Sequence, residues 1–381
     1  MTIWRILFVI LAVGSIAGPL MLMAQLQRQP WLQRWVHGRV WAAWGIAAVG
    51  VAGLFGALWW QWGFLNAMVC VLHWAVAWTA LDGLWYAARW LGWRRLSRGL
   101  TDGAALLLTV GYLAYGWYLA HGLWRADYWL TTDKPVGSLR IALVSDTHMG
   151  NLFGSARFAR NLARLQADQP DMVVVTGDFV DERTPREEMV AACRALGALR
   201  VPLGVYYVFG NHDKGRFARG MAPFSEMELK EALTRNGVVV LEDEVRQVGG
   251  RLCVIGRADA SNGRYTGRAR ASMEALMKGL DPALFTVVLD HQPRDYAAQV
   301  KAGADLVLSG HTHGGQMIPF RMLCDRLGIG ENDRMYGFEQ RGNTRFIVTS
   351  GMADWRLLFR TGCRSEYVLI HLEGKPLPAG A

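Results

Sequence analysis

The chain has 381 residues, 52% of them hydrophobic and 19% charged, with a formal net charge of +9 at pH 7. It is too apolar for a disordered chain and too apolar for an ordinary soluble enzyme of this size. Sixteen of the 17 Trp precede residue 130, in a stretch holding 9 Lys or Arg and 3 Asp or Glu, whereas the rest of the chain holds 32 and 29. The positive charge is therefore +6 on the charge-poor part and +3 spread thinly over the other. Without a basic stripe on a folded domain, no nucleic acid is expected as a partner. Five scattered Cys with no CxxC pair exclude a zinc ribbon and a disulfide scaffold.

From the N-terminus, residues 6–24, 40–81 and 103–124 carry no charged side chain. A helix crossing a bilayer needs about 20 apolar residues. The middle run is too long for one crossing and suits a hairpin, with its break at Trp60-Gln61-Trp62-Gly63. We expect four transmembrane helices in residues 1–130, near 4–24, 40–60, 64–88 and 103–124. The first lacks a small-x-small cleavage site after its apolar run, so it is read as a retained helix rather than a signal peptide. His73, His121 and Asp82 lie within or near these spans, and packing or interface roles are expected for them. The loop between spans one and two carries Arg28, Arg34 and Arg39, that between three and four carries Arg89, Arg94, Arg95 and Arg98, and that between two and three carries none. Positive loops face the cytoplasm, so both termini are expected on the other side.

A linker is expected at 131–137, followed by a globular domain over 138–381. Short apolar runs at 139–144, 172–175, 205–208, 252–255, 285–289, 306–308, 346–348 and 367–370 read as strands. They alternate with helical patterns at 155–165, 185–199 and 224–235, which gives an α/β domain whose chemistry belongs beyond the strand C-termini.

The polar residues fall at those ends. The first strand runs into Ser145-Asp146-Thr147-His148 and the second into Thr176-Gly177-Asp178. The third runs into Gly210-Asn211-His212-Asp213, and later ones into Asp290-His291 and Gly310-His311-Thr312-His313. Each piece alone is unremarkable, since Asn-His-Asp is also turn chemistry. Together they put carboxylates, imidazoles and one amide on a single edge. Such a set suits Mn, Fe or Zn and includes no thiolate. Seven candidate ligands are too many for one ion and fit two ions sharing a carboxylate.

The order D-x-H, G-D, G-N-H-D, H, G-H-x-H resembles that of the calcineurin-like metallophosphoesterases, and the run Gly310–Gln316 (GHTHGGQ) resembles their bacterial membrane-associated branch. The resemblance spans about 140–371. It implies a four-layer fold of two mixed sheets flanked by helices, here preceded by the transmembrane region. It implies that Asp146, His148 and His313 hold one divalent metal ion, that Asp178 bridges, and that Asn211, His291 and His311 complete the second site. It further implies attack on phosphorus by a metal-bridging hydroxide, with His212 as the catalytic imidazole and Asp213 as the residue that orients it.

A domain on a linker of seven residues stays within about 25 Å of the membrane even when the linker is fully extended. We therefore expect membrane lipids as its surroundings and a phosphorylated lipid or lipid-linked substrate. The expected place is a bacterial inner membrane with the catalytic domain on the periplasmic side. The alternative is a UDP-2,3-diacylglucosamine diphosphatase of lipid A biosynthesis acting at the cytoplasmic face.

Overall fold

The computed structural model describes residues 3–93, 98–214, 222–327 and 331–377, with the backbone alone at 3–12, 98, 265 and 327. The chain divides into two compact units, one of Met1–Tyr118 with Arg356–Phe359 and the other of Leu119–Trp355 with Arg360–Ala381.

The first unit is helical: Ile3–Gln27, Pro30–Trp35, Val40–Trp62, Phe64–Trp90 and Arg98–His121. Among the described residues, Val40–Trp62, Phe64–Trp90 and Gly99–His121 are long and apolar enough to cross a membrane. The expected first span, 4–24, lies within Ile3–Gln27, but the side chains of its first half fall outside the described residues. The hairpin breaks at Gly63, where φ is +81° and the N–H closes the preceding helix on Trp59 O at 2.8 Å. Only glycine takes that left-handed conformation without strain. Small residues line the interior, with Ala43, Ala47, Ala67, Ala75 and Ala105 all buried. Gly14 and Gly18 lie against Leu72, where an added Cβ would meet its atoms at 3.2–3.3 Å. Close approach through small residues is how helices pack when lipid removes the hydrophobic drive between them. Large apolar side chains point outward instead, among them Trp60 at 92% exposure and Leu107 at 73%. His73 takes a packing place, with Nδ1 2.7 Å from Val69 O and its ring stacked on Tyr112.

Among the described residues, the second unit holds twelve strands. They are β1 (Trp124–Thr131), β2 (Ser138–Val144), β3 (Met172–Val175), β4 (Val205–Tyr207), β5 (Val239–Val240), β6 (Glu244–Val248), β7 (Leu252–Gly256), β8 (Phe285–Leu289), β9 (Leu306–Ser309), β10 (Gly337–Arg341), β11 (Thr344–Val348) and β12 (Glu366–Glu373). Two six-stranded sheets result, in the orders β1-β12-β2-β3-β4-β5 and β10-β11-β9-β8-β7-β6. Both are mixed: β2, β3, β4 and β5 run parallel, as do β7, β8, β9 and β11, while β12 pairs antiparallel with β2, β6 with β7 and β10 with β11. Strand β1 runs into the first position of the expected linker, Thr131, and pairs in parallel with β12. Its sequence, Trp-Arg-Ala-Asp-Tyr-Trp-Leu-Thr, lacks the continuous apolar run of the central strands.

Alternation of side chains across each strand builds three cores. Leu139, Ile141 and Leu143 of β2 join Val254, Leu289 and Leu308 of the second sheet in one buried cluster between the sheets. Ala142 and Val144 face the other way, onto the helices Ser155–Ala167, Arg186–Gly197 and Glu226–Arg235 through Phe158, Leu196 and Leu229. Ile255, Val288 and Val307 pack on Met273 and Tyr296 beyond the second sheet. The layers are helix, sheet, sheet, helix, and both sheets direct the C-terminal ends of their parallel strands toward the polar clusters read from the sequence.

Candidate metal centre

Five loops build the centre, after β2, β3, β4, β8 and β9. Among the described residues they gather two groups able to hold a metal ion, Asp146 with His148 and His313, and Asp178 with His291 and His311. Asn211 joins the second group, its Oδ1 3.1 Å from His291 Nε2. Asp178 lies between the groups: its Oδ2 is 3.2 Å from His291 Nε2 and 3.8 Å from His148 Nε2. His148 and His313 approach Nε2 to Nε2 at 3.3 Å. All seven residues expected as metal ligands are thus brought to one place.

The loops achieve this through strained backbone. Asp146, His148, Asp178, His311 and His313 all have positive φ, between 37° and 71°. Residues other than glycine rarely adopt this region, and such strain clusters where a site requires it. Glycine supplies the clearance. An added Cβ on Gly310 would strike the Ser145 side chain and the Asp146 carboxylate, and one on Gly210 would strike Asp178. Gly210 and Gly310, each directly before a ligand in the sequence, allow that close approach.

The donor set fits divalent ions. His291 Nδ1 lies 2.6 Å from Thr176 O, and His313 Nδ1 3.2 Å from Ala353 O. A carbonyl can only accept, so each Nδ1 carries a proton, which in the neutral imidazole leaves Nε2 with a lone pair. Those lone pairs point at the acceptors Asp178 Oδ2 and Asn211 Oδ1 in one group and at His148 Nε2 in the other. Such a convergence of lone pairs is satisfied by a cation. His311 Nδ1 and His148 Nδ1 are buried with no hydrogen-bond partner. Electrostatics mark the same place for positive charge: burial pushes His291 down, but the Asp178 carboxylate overrides it and holds this imidazole well above its ordinary range. Burial pulls His148 and His311 well below theirs. Burial raises Asp178 too, but His291 and His212 beside it hold it well below the carboxylate range.

Asp213 has a different role from the one expected. Its carboxylate accepts hydrogen bonds from the backbone N–H groups of Gly210, Asp178, Phe179 and Val180 at 2.7–3.0 Å. Those bonds fix the β3 and β4 loops to each other. Burial and the nearby Asp178 push Asp213 up to about 6. The partner of His212 is Glu182, whose Oε1 lies 2.6 Å from Nδ1. The His212 backbone N–H meanwhile donates to Asp178 Oδ1 at 2.8 Å. Glu182 stands four positions after Asp178, in Gly177-Asp178-Phe179-Val180-Asp181-Glu182. Asp181 and Glu182 both follow Asp178 in that run, and only the loop geometry selects Glu182.

A second support comes from the chain beyond β11. Asp354 Oδ1 accepts from Gln316 at 2.7 Å and lies 3.6 Å from His313 Nδ1. Its other oxygen pairs with Arg360 Nε at 2.7 Å, both side chains fully buried. Such carboxylates behind histidines fix ring orientation and tautomer at metal sites.

Residues 139–315 match the family model described as calcineurin-like phosphoesterase. A transmembrane protein with metallophosphoesterase domain from Bos taurus is 29% identical over 260 residues, which cover 65% of this chain and 57% of that protein. A metallophosphoesterase of Campylobacter jejuni is 27% identical over 62% of this chain and 60% of its own length. One of Aquifex aeolicus is 29% identical over 65% of this chain and 91% of its own length. The chain thus spans less than two thirds of the first two relatives. The match to the family model takes in the loops after β2, β3, β4, β8 and β9 and both ligand groups, so residues 139–315 form a calcineurin-like phosphoesterase domain.

Proposed function

We propose that the chain is a membrane-anchored di-metal phosphoesterase that hydrolyses a phosphoester or phosphoanhydride bond of a lipid or lipid-linked substrate. The observation that carries the reaction class is the convergence of two ligand groups, Asp146 with His148 and His313 and Asp178 with His291 and His311, with Asp178 lying between them. In this reading Asp146, His148 and His313 hold one ion, Asn211, His291 and His311 the other, and Asp178 touches both. Bound divalent ions supply Lewis acidity toward a phosphoryl oxygen and lower the pKa of water. Hard oxygens with imidazoles suit manganese, which we take as the metal, with Fe and Zn as the other members of the same class. His212, on the rim and held at Nδ1 by Glu182, presents Nε2 to the substrate and delivers a proton to the leaving oxygen. Burial lowers its pKa, but Asp178 and Glu182 more than offset this and raise it, which favours the protonated form. The outward apolar side chains of the helical unit support the lipid reading.

The test is a panel of lipid phosphates and lipid-linked diphosphates, run beside the soluble diester bis-p-nitrophenyl phosphate. Dialysis against a chelator should abolish turnover and Mn should restore it. Undiminished diester hydrolysis after metal removal defeats the di-metal reading. Hydrolysis of the soluble diester with no lipid phosphate turned over defeats the lipid reading alone.

We further propose that the phosphoesterase domain lies on the non-cytoplasmic face. Seven Arg in the first and third loops against none in the second support this, and Arg5 is the only opposing charge near the first span. An alkaline phosphatase fused after Ala381 should be active and a green fluorescent protein there dark. The reverse pattern puts the domain in the cytoplasm and makes the nucleotide-linked diacylglucosamine the first substrate to try.

A further inference from the structure

Within the helical unit lies a cavity of about 450 Å³, formed by Val40–Trp62, Phe64–Trp90, Arg98–His121 and the segment Arg356–Phe359. Leu58, Val71, Trp74, Leu113, Leu358 and Phe359 are among the side chains lining it. The lining is almost wholly apolar, and its one hydroxyl, on Thr109, is already donated to Ala105 O at 2.8 Å. A cavity of about 150 Å³ with such walls stays dry and admits benzene. This one has about three times that room. Leu106 and Val110, which also line it, are 45% and 57% exposed, so it opens sideways through the face that the helices present to lipid.

The segment Arg356–Phe359 is fastened in this unit. Asn66, buried in the helix Phe64–Trp90, donates from Nδ2 to Arg356 O at 3.0 Å and accepts at Oδ1 from Leu358 N at 2.9 Å. This double clamp on the backbone presents Leu358 and Phe359 as cavity wall. On either side in the chain stand residues of the metal centre. The Trp355 ring lies 5.3 Å from that of His212, and Asp354 and Arg360 form the buried pair behind His313. Chain order alone separates Leu358 from Trp355 by three residues, at most about 11 Å of extended backbone.

We propose that this cavity binds one acyl chain of the lipid phosphate substrate. The proposal rests on the lipid reading above and adds to it the site of chain recognition. The cavity supplies the volume, the dry walls and the lateral entry that an alkyl chain needs. In chain order its wall residues Leu358 and Phe359 stand between Trp355 and Arg360 of the second unit.

The experiment uses the full chain in detergent and phosphatidic acid as the probe, one of its acyl chains ending in a diazirine. Photolysis and peptide mapping should place cross-links on the lining residues, including Leu113 and Leu358. Shortening the chains of the unmodified lipid from long to two-carbon should lower kcat/KM at least about a hundredfold, since each methylene taken from water favours binding. Ala114→Trp, which narrows the cavity, should reduce the long-chain to short-chain ratio of kcat/KM at least tenfold and suppress the cross-links. The ratio is taken within one protein, so partial misfolding does not shift it. Cross-links confined to outward side chains such as Leu107 and Trp60, in wild type and variant alike, would overturn the proposal. So would turnover of lipid phosphates with no dependence on chain length. Absence of any lipid phosphate turnover beside normal diester hydrolysis counts against the lipid reading itself.

Discussion

Asp178→Asn is expected to empty both metal positions and abolish turnover. The side chain is buried, and one of its oxygens lies within 4 Å of His291 in one ligand group and of His148 in the other. Asparagine keeps the shape, and its amide oxygen can still accept the His212 backbone N–H now bound at 2.8 Å. It loses the negative charge that two neighbouring cations require. A divalent ion at a phosphoryl centre contributes several kcal/mol, so activity on bis-p-nitrophenyl phosphate should fall roughly a thousandfold or more. Elemental analysis should show less than a single tightly bound ion per chain. Removing the anion also leaves His291 without the group that holds its imidazole well above the ordinary range against burial. That imidazole should therefore titrate lower in the metal-free variant than in the metal-free parent. Two ions retained with near-normal turnover would show that Asp178 does not bridge.

The catalytic edge was legible because its residue types are rare and its spacing is tied to strands. Asp146, His148, Asp178, His291, His311 and His313 each follow an apolar run that could only be a buried parallel strand. The order of the two sheets was not legible. Strand β12 enters beside β2 from the far end of the chain, and nothing in 367–370 marks its antiparallel partner. Strand β1 was hidden for another reason: its alternating sequence directly follows the last long apolar helix and is half exposed. The hairpin break at Gly63 was readable, since a glycine among indoles serves both as stop and as interface. The misassignment of Asp213 has a clear cause. Adjacency in sequence suggested a carboxylate beside His212, but neighbouring residues in a tight loop point apart. Asp213 satisfies four backbone N–H groups, while Glu182 reaches His212 from a different loop. Likewise, Asp354 and Arg360 lie beyond the family match, and only tertiary packing brings them behind His313.

His212→Ala should separate chemistry from metal binding. The imidazole is on the rim of the ligand groups, 5.2 Å ring to ring from His148, and its Nδ1 is taken by Glu182. The variant should therefore keep both ions and lose turnover, by about 10²–10⁴-fold if His212 acts as a positioned acid. The deficit should shrink for substrates whose leaving group needs no proton, such as p-nitrophenolate, and grow for alkoxide leaving groups. Glu182→Gln is the companion. It keeps a hydrogen-bond acceptor near Nδ1 but removes the charge that, with Asp178, raises the His212 pKa against burial. A proton donor with a lowered pKa is deprotonated sooner as pH rises. The alkaline limb of kcat/KM should accordingly move to lower pH in Glu182→Gln, with metal content unchanged. A matched loss of ions in His212→Ala would make that residue a ligand. An unmoved alkaline limb in Glu182→Gln would leave Glu182 with a purely structural part.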